Sequence, residues 1–72
     1  MKVGQKIKAY LEEKEISQTW LSIETKIKQP KLNLTLNGHR RLSFEEYELI
    51  CGALDLPVGA FLEAKKPAKR VS

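Results

Sequence analysis

Ser17–Arg41 reads SQTWLSIETKIKQPKLNLTLNGHRR, and the fold turns on how this stretch is parsed. Ser17 ahead of Gln18 is a helix start, because a serine hydroxyl can accept one of the first-turn amide hydrogens that have no helical partner. Lys28-Gln29-Pro30, eleven residues on, is a second start. Proline is tolerated there because it removes only an N–H that would go unpaired anyway. Thr25-Lys26-Ile27 between them has room for a turn and nothing more. Asn37-Gly38 then closes the second segment, since glycine readily takes the left-handed conformation that ends helices. The spacing predicts two short helices joined by a tight turn, the second from about Gln29 to Leu36.

The later part of this window, with the residues just after it, concentrates charge. Thr25 to Phe44 holds Lys26, Lys28, Lys31, Arg40 and Arg41 and no Asp or Glu, a local charge of +5 on one supersecondary unit. The whole 72-residue chain carries +4, of which residues 1–62 hold +1 and residues 63–72 hold +3. Acids gather outside the stretch from Thr25 to Phe44, at Glu12, Glu13 and Glu15 and again at Glu45, Glu46 and Glu48. Acidic faces flanking a basic strip point to an oriented contact with a polyanion. A merely solvated charge run is the bland alternative.

Outward from the window, Val3, Ile7, Tyr10 and Leu11 mark an amphipathic first helix over about residues 2–14. Ser43-Phe44-Glu45-Glu46 is a capping box, after which Phe44, Tyr47, Ile50, Cys51 and Leu54 follow helical spacing. Leu56-Pro57-Val58 opens a last short helix through Phe61 and Leu62. One segment competes: Lys31–Gly38 alternates apolar and polar and ends in Asn-Gly, which is also the pattern of a hairpin strand. The helical reading is preferred because the partner arm, Arg40–Phe44, is too short and an isolated two-stranded hairpin is marginal. The expected organisation is one domain over residues 1–63 and a basic, disordered tail over 64–72.

Length and composition exclude several classes. A chain of this size buries roughly 60% of its unfolded surface, so its core is small. The single Cys51 permits no internal disulfide, and one Cys with one His cannot build a zinc site. No metal or cofactor is expected. No signal peptide is expected, since Met1-Lys2-Val3-Gly4 leads into polar residues, and no apolar run approaches membrane-spanning length, so the expected setting is the cytoplasm, with no membrane partner. One His and one Cys on separate elements, with no glycine-rich phosphate cradle, leave catalysis unsupported, and the chain is not expected to be an enzyme.

Four motifs in order then carry a resemblance. Ser-Gln-x-x-Leu at 17–21, Ile-x-Gln-Pro-x-Leu at 27–32, Leu-Asn-Gly at 36–38 and Leu-Asp-Leu-Pro-x-x-x-Phe-Leu at 54–62 together resemble the phage-repressor and Cro type of helix-turn-helix, the XRE family. The similarity covers residues 3–62. It implies an all-α, lambda-repressor-like DNA-binding domain, a compact bundle of five helices whose second and third form the helix-turn-helix. It further implies a sequence-specific regulator of double-stranded DNA, a repressor of phage or mobile-element type, acting as a homodimer. Gln18 would meet a phosphate at the start of the second helix. Gln29, Lys31, Asn33 and Leu34 would read bases, while Lys28, Arg40 and Arg41 would lie along the phosphate backbone. The chain departs from the pattern at Lys26 and Asp55, where glycine is usual, and at Thr25 and Thr35, where apolar residues are common.

Some residues have two readings. Trp20 and Ile23 fall on the outer side of the second helix. Trp20 either folds back against Leu11 or joins Ile23 in an apolar patch for a second copy or a partner protein. Phe61 and Leu62 are either core or a dimer contact. Cys51 reads as an inert buried thiol, and His39 as a surface residue with a phosphate contact as its alternative. A protein-interaction module on the same fold, of antitoxin or antirepressor kind, is the rival function.

Overall fold

The structure, a computed structural model, describes residues 3–62. The basic tail expected over residues 64–72, and the boundary drawn at 63, lie outside the described residues. Those described form four α-helices and one 3-10 turn: α1 Val3–Lys14, α2 Gln18–Thr25, α3 Gln29–Leu36, α4 Phe44–Ala53, and the turn Val58–Phe61. The expected fifth helix is therefore corrected to a 3-10 turn. Ala60 N–H donates to the Pro57 carbonyl at 3.0 Å and Leu62 N–H to that of Gly59 at 3.2 Å, and the backbone is extended again at Leu62. Four residues between a proline and an extended backbone leave no room for an α-turn ladder.

The helix starts form as their residues dictate. Ser17 Oγ accepts from Trp20 N–H at 3.0 Å. Ser43 Oγ accepts from Glu46 N–H at 3.1 Å, while Glu46 Oε1 accepts from Ser43 N–H at 3.2 Å, the reciprocal capping box. α3 begins after Lys28 with Pro30 in its first turn.

The helix ends share one device. At the ends of α1, α3 and α4 the residues Glu15, Gly38 and Asp55 take φ of 58°, 81° and 58°. In each case two amides fold back on the last turn: Ile16 N–H to the Leu11 carbonyl at 2.8 Å, His39 N–H to that of Leu34 at 2.8 Å, and Leu56 N–H to that of Cys51 at 2.9 Å are the longer-range members. This is the doubly bonded left-handed cap that favours glycine, yet only one of the three positions holds it. Lys26, closing α2, is left-handed as well, with φ 61°.

Ile7, Leu11, Leu21, Leu32, Leu36 and Ile50 fill the centre, with Tyr47, Cys51 and Phe61 completing it. α3 is helical despite its alternating sequence. Leu32, Thr35 and Leu36 are buried at helical spacing and Leu34 is left outside, 46% exposed. Period 3.6 thus buries two of the three leucines, with Thr35 beside them, whereas period 2 would have put all three leucines on one face. Thr25 and Thr35 are accommodated by hydrogen bonds along their own helices: each hydroxyl donates to the carbonyl four residues back, Leu21 at 2.8 Å and Lys31 at 3.0 Å.

Two contacts lock the arrangement. A Cβ at Gly4 would stand 2.2 Å from the Thr35 carbonyl oxygen, so α1 crosses α3 at a distance that only glycine allows. On the other side, Tyr47 Oη donates to the Val58 carbonyl and accepts from Phe61 N–H at 3.2 Å, stitching the 3-10 turn to α4. Phe44, expected on the buried stripe of α4, is instead 61% exposed, because it opens the helix on the rim of the core.

Candidate nucleic-acid interface

Burial of one side of α3 fixes what its other side presents. With Leu32, Thr35 and Leu36 inside, Gln29, Lys31, Asn33 and Leu34 are all exposed. These residues occupy two turns of one short helix and carry two carboxamides, one cation and one apolar tip. That set can pair with base edges, with phosphates and with a thymine methyl. Lys28, at the helix entrance, is exposed too.

The two amides are tied to α2. Gln29 Nε2 donates to Thr19 Oγ1 at 3.1 Å, and Asn33 Nδ2 approaches Gln18 Oε1 at 3.4 Å. The turn that sets α2 against α3 is held from inside: Ser22 Oγ donates to the Ile27 carbonyl at 2.6 Å, and Ile27, 7% exposed, plugs the angle between the helices. Gln18, anticipated as a phosphate donor, therefore offers its oxygen to Asn33 and keeps its amide hydrogens for other acceptors.

The loop after α3 divides the two arginines. Arg40 Nη1 and Nη2 bind the two carboxylate oxygens of Glu46, each at 3.0 Å, and Nη1 also donates to Thr35 Oγ1 at 3.0 Å. This fork clamps the loop to α4. The Arg40 hydrogen bonds hold the Glu46 carboxyl below its ordinary range, helped by the capping bonds to Ser43, and Arg40 is in turn raised by Glu46. Arg41 and His39 are exposed. A cation from another helix joins the loop: Lys8 Nζ donates to Asn37 Oδ1 at 2.7 Å, and Asn37 Nδ2 donates to the Asn33 carbonyl at 2.9 Å.

Of the remaining candidates, Trp20 is 41% and Ile23 68% exposed. Trp20 lines a shallow groove with Glu15, Ile16 and Ser17. Phe61 belongs to the core, its ring edge-on to Tyr10 at 5.6 Å, while Leu62 beside it is 47% exposed. Cys51 is buried, and Tyr47 above it is pushed up chiefly by its own burial. Among the described residues no group of three metal-ligating side chains occurs, and no helix is long and apolar enough to cross a membrane.

The contacts of Thr19 with Gln29 and of Lys8 with Asn37 are not legible in the sequence. Thr19 is one of two polar residues opening α2, and nothing in its spacing marks it as facing Gln29. Lys8 is one of several lysines, placed beside Asn37 only by the crossing at Gly4.

A protein-family model described as Cro/C1-type HTH DNA-binding domain matches residues 6–67. No curated protein and no solved structure matches the chain.

Proposed function

The chain belongs to the Cro/C1-type helix-turn-helix DNA-binding family, and from that premise we propose that it is a sequence-specific repressor of phage or mobile-element type. α3 enters the major groove of double-stranded DNA, where Gln29, Lys31, Asn33 and Leu34 read base edges. Gln18, Lys28 and Arg41 bear on the phosphates and set register without reading sequence, while Arg40, bound to Glu46, holds the loop that carries Arg41. The observation that carries this is the outer face of α3: two amides, a lysine and a leucine, all exposed, on a segment with five cations and no acid between Thr25 and Phe44. The regulator works in the cytoplasm as a homodimer on a near-palindromic operator and needs no cofactor. It has no catalytic role.

Selection of bound duplexes from a randomised pool at near-physiological salt tests the proposal. Enrichment of an inverted repeat with half-sites about 34 Å apart is the expected outcome. An unenriched pool would overturn sequence-specific reading.

A second reading rests on α2. Trp20 and Ile23 stand three residues apart with large exposed apolar surfaces, a pair suited to a protein partner. On this reading the chain is an antitoxin- or antirepressor-like module whose DNA binding is shared with its partner. It gains if the pool stays unenriched with the protein alone and becomes enriched when a partner is supplied.

A further inference from the structure

α2 meets the rest of the fold along two of its flanks. Leu21 and Thr25 turn inward and are buried. Gln18, Thr19 and Ser22 face α3 and its entrance, where they meet Asn33, Gln29 and the Ile27 carbonyl. At about 3.6 residues per turn, Trp20 and Glu24 fall on the flank opposite α3, with Ile23 on the outermost line of the helix. All three are exposed. At the turn from α1, Trp20 lines a shallow groove of about 430 Å³ with Glu15, Ile16 and Ser17. So open a groove does not cover a small ligand on most of its surface, as a ligand pocket must. It suits a stretch of polypeptide laid along it.

The charge around this apolar ridge has one sign. Glu15 stands at one end, in the groove itself, and Glu24 at the other, one helical turn beyond Trp20; both are exposed. Neither forms an ion pair with another described residue. Lys14, next to Glu15 in sequence, is turned back over the Tyr10 ring at 5.9 Å. A partner that covers the ridge also takes water from these two carboxylates, which is costly unless it brings them cations. We infer that the ridge formed by Ile16, Trp20 and Ile23 is a docking site for a protein partner that offers a short segment with an apolar anchor flanked by lysine or arginine. The anchor seats against Trp20 and Ile16, and the cations meet Glu15 and Glu24. This docking site rests on the second reading of α2 and adds to it the partner's seat and chemistry. It lies away from the exposed face of α3, so the partner and DNA use different surfaces.

Trp20 is the single tryptophan of the chain, so its fluorescence reports the site directly. The full chain and Trp20→Ala are each used to select from a randomised library of short peptides, and the peptides that only the full chain enriches are titrated by Trp20 emission and by calorimetry. The expected peptides carry lysine or arginine beside an aromatic or leucine anchor and shift Trp20 emission to the blue. Their affinity for Trp20→Ala is expected to be at least about tenfold lower, the effect of losing a central aromatic contact. Glu15→Lys combined with Glu24→Lys keeps the tryptophan and should weaken them about three- to tenfold, with a reduced dependence on salt. Thermal unfolding checks that each variant is folded. Peptides that depend on Trp20 but are acidic or uncharged overturn the stated chemistry and leave α2 a protein contact. Emission already blue-shifted in the free chain, or becoming so as its concentration rises, means that the chain itself or a second copy covers the ridge, and overturns the docking site. If no peptide depends on Trp20, the reading of α2 as a partner surface falls together with it.

Discussion

Single positions in this chain carry unequal strain. Glu15, Lys26 and Asp55 hold left-handed backbone that an L side chain enters at a cost of roughly 1 kcal/mol. Gly38 meets the same demand without that cost. Replacing Glu15 or Lys26 by glycine should therefore raise unfolding free energy by up to about 1 kcal/mol each, less at Asp55 because Asp visits the region more readily. Urea titrations of the three variants would check the order; a loss of stability at Glu15 or Lys26 would mean that side-chain contacts outweigh the backbone term. Gly4 is the opposite case. A methyl there meets the Thr35 carbonyl oxygen at 2.2 Å, a backbone atom rather than the end of a flexible side chain that could move aside. Gly4→Ala should destabilise by about 1–3 kcal/mol, the usual cost of overpacking, seen as a lower denaturation midpoint. An unchanged midpoint would show that α1 can shift on α3. The sequence marked Lys26 and Asp55 through the resemblance, because a family pattern records backbone conformation. It did not mark Gly4, whose need comes from a crossing between helices distant in sequence.

At the scale of elements, the start of every α-helix but the first was readable from its own residues, because caps are local chemistry. Ser17, Pro30 and the Ser43–Glu46 box act within one turn of where they stand. The outer face of α3 was readable too, once helix was preferred over hairpin. What stayed hidden were links between elements: the Thr19–Gln29 and Lys8–Asn37 bonds, and the exposure of Phe44. The last helix became a 3-10 turn because Pro57 and the extended Leu62 bound it too closely, which no local propensity states. The Arg40–Glu46 fork is the interelement tie with the clearest consequence. Glu46 is held below its ordinary value of 4.5, first by its bonds to Arg40. A carboxyl lowered on folding adds stability that is fully present above its unfolded value and is lost as pH falls through its folded one. Melting temperature should accordingly drop as pH is taken below about 4.5, and Glu46→Gln should flatten that part of the profile. A profile of unaltered slope in the variant would assign acid sensitivity to other carboxylates. Base reading belongs to this scale as well. Gln29→Ala should cost about 1–3 kcal/mol on the selected operator and relax one base position; equal losses on selected and random duplexes would remove it as a reader.

Across the whole molecule, the charge of +4 matters less than its placement. Glu46 offsets one of the five cations between Thr25 and Phe44 by binding Arg40 on both carboxylate oxygens. The two arginines of the loop should therefore behave differently on DNA, although a linear sequence presents them as a pair. Arg41 is exposed, and as the phosphate contact we propose, it would contribute to binding by releasing counterions. Arg41→Ala should lower the slope of log affinity against log salt by about 1 and weaken selected and random duplexes alike. Arg40→Ala removes a charge already balanced by Glu46, so its slope should change less. It also cuts the loop from α4 and from Thr35, so affinity should fall chiefly through a less ordered loop. Melting temperature should fall along with it, which it should not for Arg41→Ala. Salt titrations on both duplexes, with thermal unfolding of both variants, separate the two roles. Equal slope changes with unaltered stability would mean that the fork opens on DNA and that Arg40 joins Arg41 at the phosphates. In that case Glu46, freed beside a polyanion, would oppose binding, and Glu46→Gln would tighten it. The sign of that one variant's effect on affinity thus reports whether the clamp stays closed when the protein meets its operator.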